Sequence, residues 1–209
     1  MLEDSFRVVS YYTMGTPYVD VAHRYLMNSI KYLGKELKSS IRAVPDLGSW
    51  QANTSYKPEF ILNMLDHYDE NIVFLDSDAE LLGYPSLFDD IPFDYNFAAH
   101  LLNRDTWYNR NTGKEDLELL TGTLFVRNNL RSREILRKWK EKCLSSKIWE
   151  QKVLAKVLKD SEEPVYNLPI EYCWIKDLPG NKPPYVKPKG NIVIQHNQVS
   201  RVLKKKSNV

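Results

Sequence analysis

Two carboxylates stand two residues apart at the end of an apolar run, in the segment Asn71-Ile-Val-Phe-Leu-Asp-Ser-Asp78. The apolar residues are typical of a strand that is covered on both faces. Ligands bind at the carboxyl end of such strands in open α/β sheets. Hard divalent cations such as Mg²⁺ or Mn²⁺ take oxygen ligands, commonly one or two carboxylates together with substrate phosphates. The pattern therefore favours a metal site at Asp76 and Asp78 over the simpler alternative, in which Asp78 caps the turn that follows.

A histidine and a glycine occur in similar strand patterns. His196 follows the apolar run Ile192-Val-Ile, and a neutral imidazole is a common ligand for divalent metals. A single histidine at a strand end is also an ordinary boundary residue. Gly122 interrupts the strand pattern of residues 120–127, where a glycine usually marks a bulge or the close approach of another group. We expect that group to be either a bound sugar or a neighbouring strand.

Charged and aromatic residues near predicted element ends are further candidates. Glu150 opens a predicted helix, where it either complements the helix dipole or binds sugar hydroxyls or the acceptor. Lys57 also lies at a helix opening, which the dipole disfavours for a cation, and this conflict indicates a bound anion nearby. Tyr11 and Tyr12 end the first predicted strand. They belong either to the core or to the binding site of a nucleotide base.

The elements that would position these residues alternate between strand and helix. The opening order of strand, helix and strand is typical of a parallel sheet. Hydrophobic periodicity predicts strands over residues 6–12, 40–44, 71–75, 97–102, 117–126, 165–168 and 191–195. It predicts helices over residues 20–33, 58–67, 132–144 and 149–158, a helical turn at 85–88, and loops at 49–57 and 179–190.

The bulk composition narrows the class of protein. A length of 209 residues suits one α/β domain, and 43% hydrophobic with 27% charged residues excludes a disordered or fibrous chain. Two cysteines, Cys143 and Cys173, cannot build a disulfide framework and fit no zinc spacing, so we expect reduced thiols in a cytoplasmic protein. The sequence shows neither an apolar run of about 18 residues nor a signal-peptide pattern, so we expect no membrane span.

Charge is distributed unevenly along the chain. The net charge of +2 is too small to indicate a nucleic-acid or membrane partner by itself. Residues 127–142 are rich in lysine and arginine, however, and Lys204, Lys205 and Lys206 lie near the chain end. These segments are either solvated surface or a surface for a phosphate-bearing ligand, so DNA stays open as an acceptor.

Taken together, these segments resemble the GT-A nucleotide-diphospho-sugar transferases from Arg7 to Arg201. The matching pieces are the first strand at residues 8–13, the metal motif at 72–79, a glycine-containing strand at 121–128, a helix start at 150–154, and a late histidine, His196. The order and spacing of five pieces are more specific than any one of them. The chain is more similar to the glycogenin-like, retaining members, although Thr121 replaces the usual Asn or Ser, and the glycine and lysine that follow the histidine in those members are absent.

The resemblance implies a role for each matching residue. Asp76, Asp78 and His196 would hold Mn²⁺ or Mg²⁺, and Lys57 with Arg201, Ser200 or Lys204 would contact phosphate. Glu150 and Gln151 are the catalytic candidates facing the sugar, without an assigned nucleophile. The remaining donor contacts would come from Tyr11, Tyr12, Thr13, Ser77, Thr121 and Gly122.

The fold class that the resemblance implies is α/β: a GT-A fold with a Rossmann-like, mostly parallel central sheet flanked by helices. We expect one domain over residues 1–209. Its nucleotide-binding half would run to about residue 102, and an irregular acceptor half with a basic tail would follow from about residue 103. A UDP-sugar is the expected donor. The sugar, the acceptor (glycan, protein or modified DNA) and the oligomeric state stay open.

Two other functions are compatible with a carboxylate pair at a sheet edge. A sugar-nucleotide nucleotidyltransferase would carry a glycine-rich basic loop after the first strand, but Thr13-Met-Gly-Thr-Pro17 has one glycine and no lysine or arginine. An inactive nucleotide-sugar-binding module would not need a complete ligand set. The presence of Asp76, Asp78 and His196 therefore favours an enzyme.

Overall fold

The computed structural model describes residues 5–110, 112–176 and 186–206, with the side chains of residues 202 and 204–206 outside the description. Its centre is a six-stranded sheet. The strands, numbered in chain order together with those of a smaller sheet, are β1 (Phe6–Thr13), β2 (Ser39–Val44), β3 (Asn71–Leu75), β5 (Phe97–Asn103), β6 (Leu117–Val126) and β7 (Val165–Asn167). All six lie within two residues of their predicted bounds.

The strand order is β2-β1-β3-β6-β5-β7. Strand β1 is parallel to both β2 and β3, and β5 is parallel to β7, whereas β6 runs antiparallel to β3 and β5. Three of the five pairings are therefore parallel, as predicted for a mostly parallel sheet. All five residues of β3 are buried, which explains its unbroken apolar sequence.

Helices cover the sheet and bury an apolar core on each face. The main helices are α1 (Tyr18–Ala22), a π-helical segment (His23–Met27), α2 (Asn28–Leu33), α4 (Lys57–His67), α6 (Leu130–Ser145) and α7 (Glu150–Asp160). One core cluster packs Phe60, Ile135 and Leu154 from α4, α6 and α7 against the sheet. The other packs Leu26 from the π-helical segment beneath Phe6.

The loop prediction for residues 49–57 is wrong, because α3 spans Trp50–Ser55 and α4 begins at Lys57. The Ser49 hydroxyl accepts a hydrogen bond from the Ala52 amide, which is the contact of a helix N-cap. Polar and aromatic residues without an apolar period concealed this short helix. Part of the loop predicted at 179–190 lies outside the described residues.

A second sheet of three short strands brings the end of the chain to β3. Its strands are β4 (Ala79–Leu81), β8 (Trp174–Ile175) and β9 (Ile194–His196), in the order β4-β9-β8. The antiparallel register places Ala79 opposite His196. A histidine at the end of the chain therefore lies beside the residue that follows Asp78.

The remaining elements are short and were not predicted, apart from the helical turn at residues 85–88, which the structure places at Ser86–Asp89 as a 3-10 helix. They are α5 (Arg104–Trp107), a 3-10 turn (Ile170–Tyr172) and α8 (Val199–Lys206). Among the residues that the structure describes, no helix has both the length and the apolar character needed to cross a membrane.

Candidate active site

Asp76, Asp78 and His196 form a cluster of candidate metal ligands. One ligand atom of each side chain lies within 4.8 Å of the other two. The cluster follows the carboxyl end of β3, where the Asp76 amide donates to the Gly122 carbonyl at 2.8 Å. Two carboxylates and an imidazole are a ligand set that suits Mn²⁺ or Mg²⁺. The structure thus brings together the three residues for which metal binding was predicted.

The His196 ring is oriented by a neighbouring hydroxyl. Its Nε2 atom lies 2.9 Å from the Thr123 Oγ1 atom, whereas Nδ1 faces the Asp78 Oδ1 atom at 3.8 Å. Contacts of this kind fix which nitrogen of a ligand histidine is available to a metal. Burial lowers the pKa of His196, but interactions with Cys173 and Asp78 outweigh it and raise the pKa to about 10.

Asp78 has a second role at the end of the chain. Its Oδ2 atom accepts a hydrogen bond from the Val199 amide at 3.0 Å, at the start of α8. The Asp78 carbonyl accepts two more bonds from the backbone amide and side chain of Asn197. The turn into Ala79 is closed by the Asp76 carbonyl instead. The Asp78 side chain therefore caps a helix 121 residues away rather than its own turn.

Gly122 allows the cluster to assemble. A Cβ atom at this position would lie 2.9 Å from the His196 Cε1 atom and 3.2 Å from the Asp76 Oδ2 atom. Real Cβ atoms essentially never approach other atoms so closely as 2.9 Å. The group that approaches Gly122 in the structure is thus the pair of candidate ligands, and not simply a neighbouring strand.

We expect Gly122→Ala to displace His196 and to lower the free energy of unfolding by about 1–3 kcal/mol, the usual cost of overpacking. Affinity for Mn²⁺ should fall as well. Thermal unfolding and a Mn²⁺ titration would measure the two effects. Gly83→Ala is the matched control, because a Cβ atom there has no neighbour within 4 Å. Equal Mn²⁺ affinity in wild type and Gly122→Ala would contradict this account of the glycine.

A buried lysine connects the metal cluster to the start of α7. Lys57 is only 3% exposed, and its Nζ atom donates to Asp76 Oδ1 at 3.0 Å and to Glu150 Oε1 at 3.1 Å. It also contacts the Thr121 side chain and carbonyl. Burial lowers the pKa of Lys57, but the two carboxylates outweigh it and raise the pKa. The lysine is therefore held as a cation between two acidic side chains.

The hydrogen bonds of Lys57 within the protein compete with the phosphate contact that was predicted for this residue. An ammonium group has three protons, and the structure offers them four acceptors within the protein. Thr121, predicted to line the sugar site, is buried, and its hydroxyl contacts Glu150 at 3.2 Å. Both donor contacts stay predictions. In the structure Lys57 contacts Asp76 and Glu150, and Thr121 contacts Glu150.

The cluster opens into a cavity of about 1070 Å³. Ligand pockets typically enclose about 300–1,000 Å³, so a nucleotide sugar and part of an acceptor would fit. Of the predicted site residues whose side chains are described, Thr121 does not line the cavity. All the others do: Tyr11, Tyr12, Thr13, Lys57, Asp76, Ser77, Asp78, Gly122, Glu150, Gln151, His196, Ser200 and Arg201. The Lys204 side chain lies outside the described residues.

The strand order indicates where a nucleotide would lie. Strands β2 and β3 flank β1 on opposite sides, so the topological switch point falls between β1 and β3. Tyr12 and Thr13 end β1 at this point, beside Asp76. Tyr11 belongs mainly to the core, because its ring packs against Phe60 and Phe74.

The sequence did not reveal several cavity residues, among them Tyr18, Trp50, Arg104, Trp107 and Tyr108. Burial and the nearby Asp78 and Asp76 carboxylates raise the pKa of Tyr18 to about 12. None of these residues belongs to a recognisable motif. The signal that could have drawn attention to them is the number of aromatic residues in segments with no apolar period.

The basic segment at residues 127–142 forms a charge-balanced surface. Arg127 is buried and donates to the carbonyls of Ile91 and Pro92. Within the described part of the chain, α6 contributes no residue to the lining of the cavity. Five of its cations pair with carboxylates: Arg131 with Glu163, Arg133 with Asp66, Lys138 with Glu134, Lys140 with Glu59, and Lys142 with Asp160.

Comparison with solved structures identifies the fold. The chain is similar to a glycosyltransferase involved in glycosylation of the major capsid of PBCV-1, with 13% identity, a TM-score of 0.63, and 97% and 98% of the two chains covered. It is also similar to the bifunctional glycosyltransferase WbbM, with 15% identity and a TM-score of 0.63 over 94% of this chain but 46% of that one. Mouse xyloside xylosyltransferase 1 matches with 11% identity and a TM-score of 0.55, over 93% of this chain and 98% of the other.

The sequence comparisons identify the family. No curated protein sequence shows a significant match to the chain. The family model for nucleotide-diphospho-sugar transferases matches residues 37–194, which is well over half of the chain and includes β3, the Gly122 strand and the start of α7. The chain therefore belongs to the nucleotide-diphospho-sugar transferase family, and it is a glycosyltransferase with a GT-A fold.

Proposed function

We propose that the chain moves a sugar from a nucleotide-diphosphate sugar, with a UDP-sugar as the expected donor, to an acceptor hydroxyl in a metal-dependent reaction that retains the anomeric configuration. The observation that carries this proposal is the cluster of Asp76, Asp78 and His196 on the wall of the cavity. Its oxygen and nitrogen atoms are suitable ligands for Mn²⁺ or Mg²⁺. Because Gly122 has no Cβ atom, there is room beside it for the side chains of His196 and Asp76.

The proposed metal would bind the donor's diphosphate at the cluster and stabilise the negative charge of the departing nucleoside diphosphate. Tyr12 and Thr13, at the switch point, are placed to contact the nucleoside. Arg201 and Ser200 line the cavity just after His196 and are placed for a phosphate contact. The nucleotide-binding half would thus extend across the sheet to residues near the end of the chain.

Lys57 is proposed to keep the metal ligands charged. Burial raises the pKa of Asp76, the Lys57 ammonium group lowers it, and the Asp78 carboxylate raises it again, with a net increase. Without Lys57, two carboxylates close together would hold a proton more readily. The lysine therefore favours the ionised form of Asp76 that binds a cation.

Glu150 and Gln151 are proposed to bind the transferred sugar. The Glu150 carboxylate is held by Lys57 and Thr121, and the Trp139 indole donates to the Glu150 carbonyl at 2.8 Å. A carboxylate restrained in this way suits orientation of a substrate hydroxyl. The resemblance to glycogenin-like enzymes supports retention, and the NMR coupling constant of the anomeric proton in the first product formed would test it.

We expect Mn²⁺-dependent binding of a nucleoside diphosphate. A ligand at 100 times its Kd stabilises the native state by about 2.7 kcal/mol. For a chain of this length, that corresponds to a rise in Tm of about 5–10 °C. UDP, GDP and dTDP would each be tested by thermal unfolding with Mn²⁺ and with EDTA. The same rise in EDTA would remove metal dependence from the proposal, and no rise with any of the three would remove the nucleotide donor.

A further inference from the structure

We propose that the far end of the cavity is an acceptor subsite for a neutral glycan. It is built from the exposed aromatic residues Trp149 and Tyr108 and the partly buried Trp107, around a polar chain that runs from Gln151 to Arg104. This inference rests on the proposed function, because it assumes that the donor occupies the end of the cavity near β1.

The order of strands fixes which end of the cavity is free for an acceptor. Along one edge of the sheet, the order β1, β3, β6, β5 takes the cavity from Thr13 past Asp76 and Gly122 to Asn103, where β5 ends and α5 begins. The nucleotide and metal sites take the first two strands. Glu150 and Gln151, at the start of α7, therefore lie next to the transferred sugar, and the residues of α5 lie beyond it on the acceptor side.

A chain of polar side chains forms the wall of this region. Gln151 Nε2 donates to Glu118 Oε1 at 2.8 Å, and Glu118 Oε2 lies 3.7 Å from an Arg104 guanidinium nitrogen. Arg104 also donates to Asp116. An amide, a carboxylate and a guanidinium group offer both donors and acceptors in fixed positions. Such an arrangement is suited to the ring of hydroxyl groups on a sugar.

Exposed aromatic residues lie at both ends of the polar chain. Trp149 and Tyr108 line the cavity and are 49% and 51% exposed. Trp149 is braced edge-on by Trp50, and Trp107 by Trp174, each with ring centroids 6.1 Å apart. Large aromatic surfaces that are rigidly held yet exposed mark binding sites, because leaving them in water is unfavourable. The C–H face of a sugar ring is a surface that they would cover.

The charges of this region favour a neutral acceptor over a nucleic acid. Arg104 and Arg110 both pair with Asp116, and Lys152 lies 5.4 Å from the ring centre of Trp149. A single-stranded nucleic acid would also stack on aromatic rings, but it needs a groove of unpaired cations along its backbone. Here the arginine charges are already partly neutralised by carboxylates.

A binding experiment on the full chain tests the subsite directly. Arrays of neutral oligosaccharides would be probed with wild type, Trp149→Ala, Trp107→Ala and Tyr108→Ala, in buffer with and without UDP and Mn²⁺. We expect wild type to bind a subset of the glycans and the tryptophan variants to bind the same subset about tenfold more weakly. Tyr32→Ala is the control, because it removes an exposed ring outside the cavity.

The possible outcomes separate this inference from the proposed function. Absence of glycan binding in both buffers, stronger binding of a single-stranded oligo-dT, or unchanged binding in all three cavity variants would overturn the subsite. Circular dichroism would show that each variant is folded. If glycans bind but Mn²⁺ and nucleoside diphosphates give no rise in Tm, the donor proposal fails, and the region stands as a glycan-binding site without its role as an acceptor subsite. If the nucleotide binds and glycans do not, the donor proposal stands and the subsite fails.

Discussion

Asp78→Asn is expected to lower the turnover of donor sugar about a thousandfold without unfolding the chain, because a metal ligand loses its charge at a cost of several kcal/mol in the transition state. The amide oxygen of asparagine can still accept the hydrogen bond that Asp78 receives from Val199. The start of α8 should therefore survive. Turnover and circular dichroism, measured on the same preparation, check the two halves of the expectation.

Two further variants make this result interpretable. Asp94→Asn changes an exposed aspartate outside the cavity and should leave turnover at the wild-type level. Asp78→Ala removes both the charge and the acceptor for Val199, so it should also loosen α8 and lower the Tm below that of Asp78→Asn. Full turnover in Asp78→Asn would exclude a metal role for this residue, and loss of folded structure would make its role structural.

Lys57→Met is expected to lower the free energy of unfolding by about 3–5 kcal/mol, because it breaks a buried ion pair and leaves carboxylates without their cation. Glu150 carries most of this penalty, since its side chain is 7% exposed, whereas that of Asp76 is 44% exposed. For a chain of this size, the expected fall in Tm is about 6–20 °C. Thermal unfolding measures it.

A double variant distinguishes an unpaired charge from simple loss of packing. In Lys57→Met with Glu150→Gln, the buried carboxylate is replaced by a neutral amide, so at least half of the lost stability should return. The coupling energy from the two single variants and the double variant measures the interaction. Strict additivity, with the double variant less stable than either single one, would mean that Lys57 and Glu150 stabilise the fold independently of each other.

The sequence predicted the central sheet well because most of its strands are rich in β-branched, aromatic or other apolar residues and end near a polar or turn-forming residue. Asp76 and Asp78 could be predicted for the same reason, since they follow β3, whereas His196 is the last residue of β9 in the second sheet. The pairing of β9 with β4, which begins directly after Asp78, brings His196 to the two aspartates. Local pattern and global arrangement therefore agree at this site.

The pairing of Lys57 with Glu150 could not be predicted in the same way. The two residues are 93 positions apart, each at the start of a helix, and nothing in either local sequence specifies the other. The conflict between Lys57 and the helix dipole predicted a bound anion, and the structure places the carboxylates of Asp76 and Glu150 against Lys57. Helix α3 was missed because its capping residue, Ser49, precedes residues with no apolar period.

The position of β9 in the chain has a consequence for synthesis on the ribosome. The Asn197 side chain and the Asp78 carbonyl that it contacts are 119 residues apart, and translation at about 5–20 residues per second takes about 6–24 s to cover that interval. All six strands of the central sheet precede residue 168 and are synthesised before β9. The three candidate ligands can therefore meet only after the strands of the central sheet have been synthesised, so the proposed metal would stabilise the completed fold and would not guide the earliest folding.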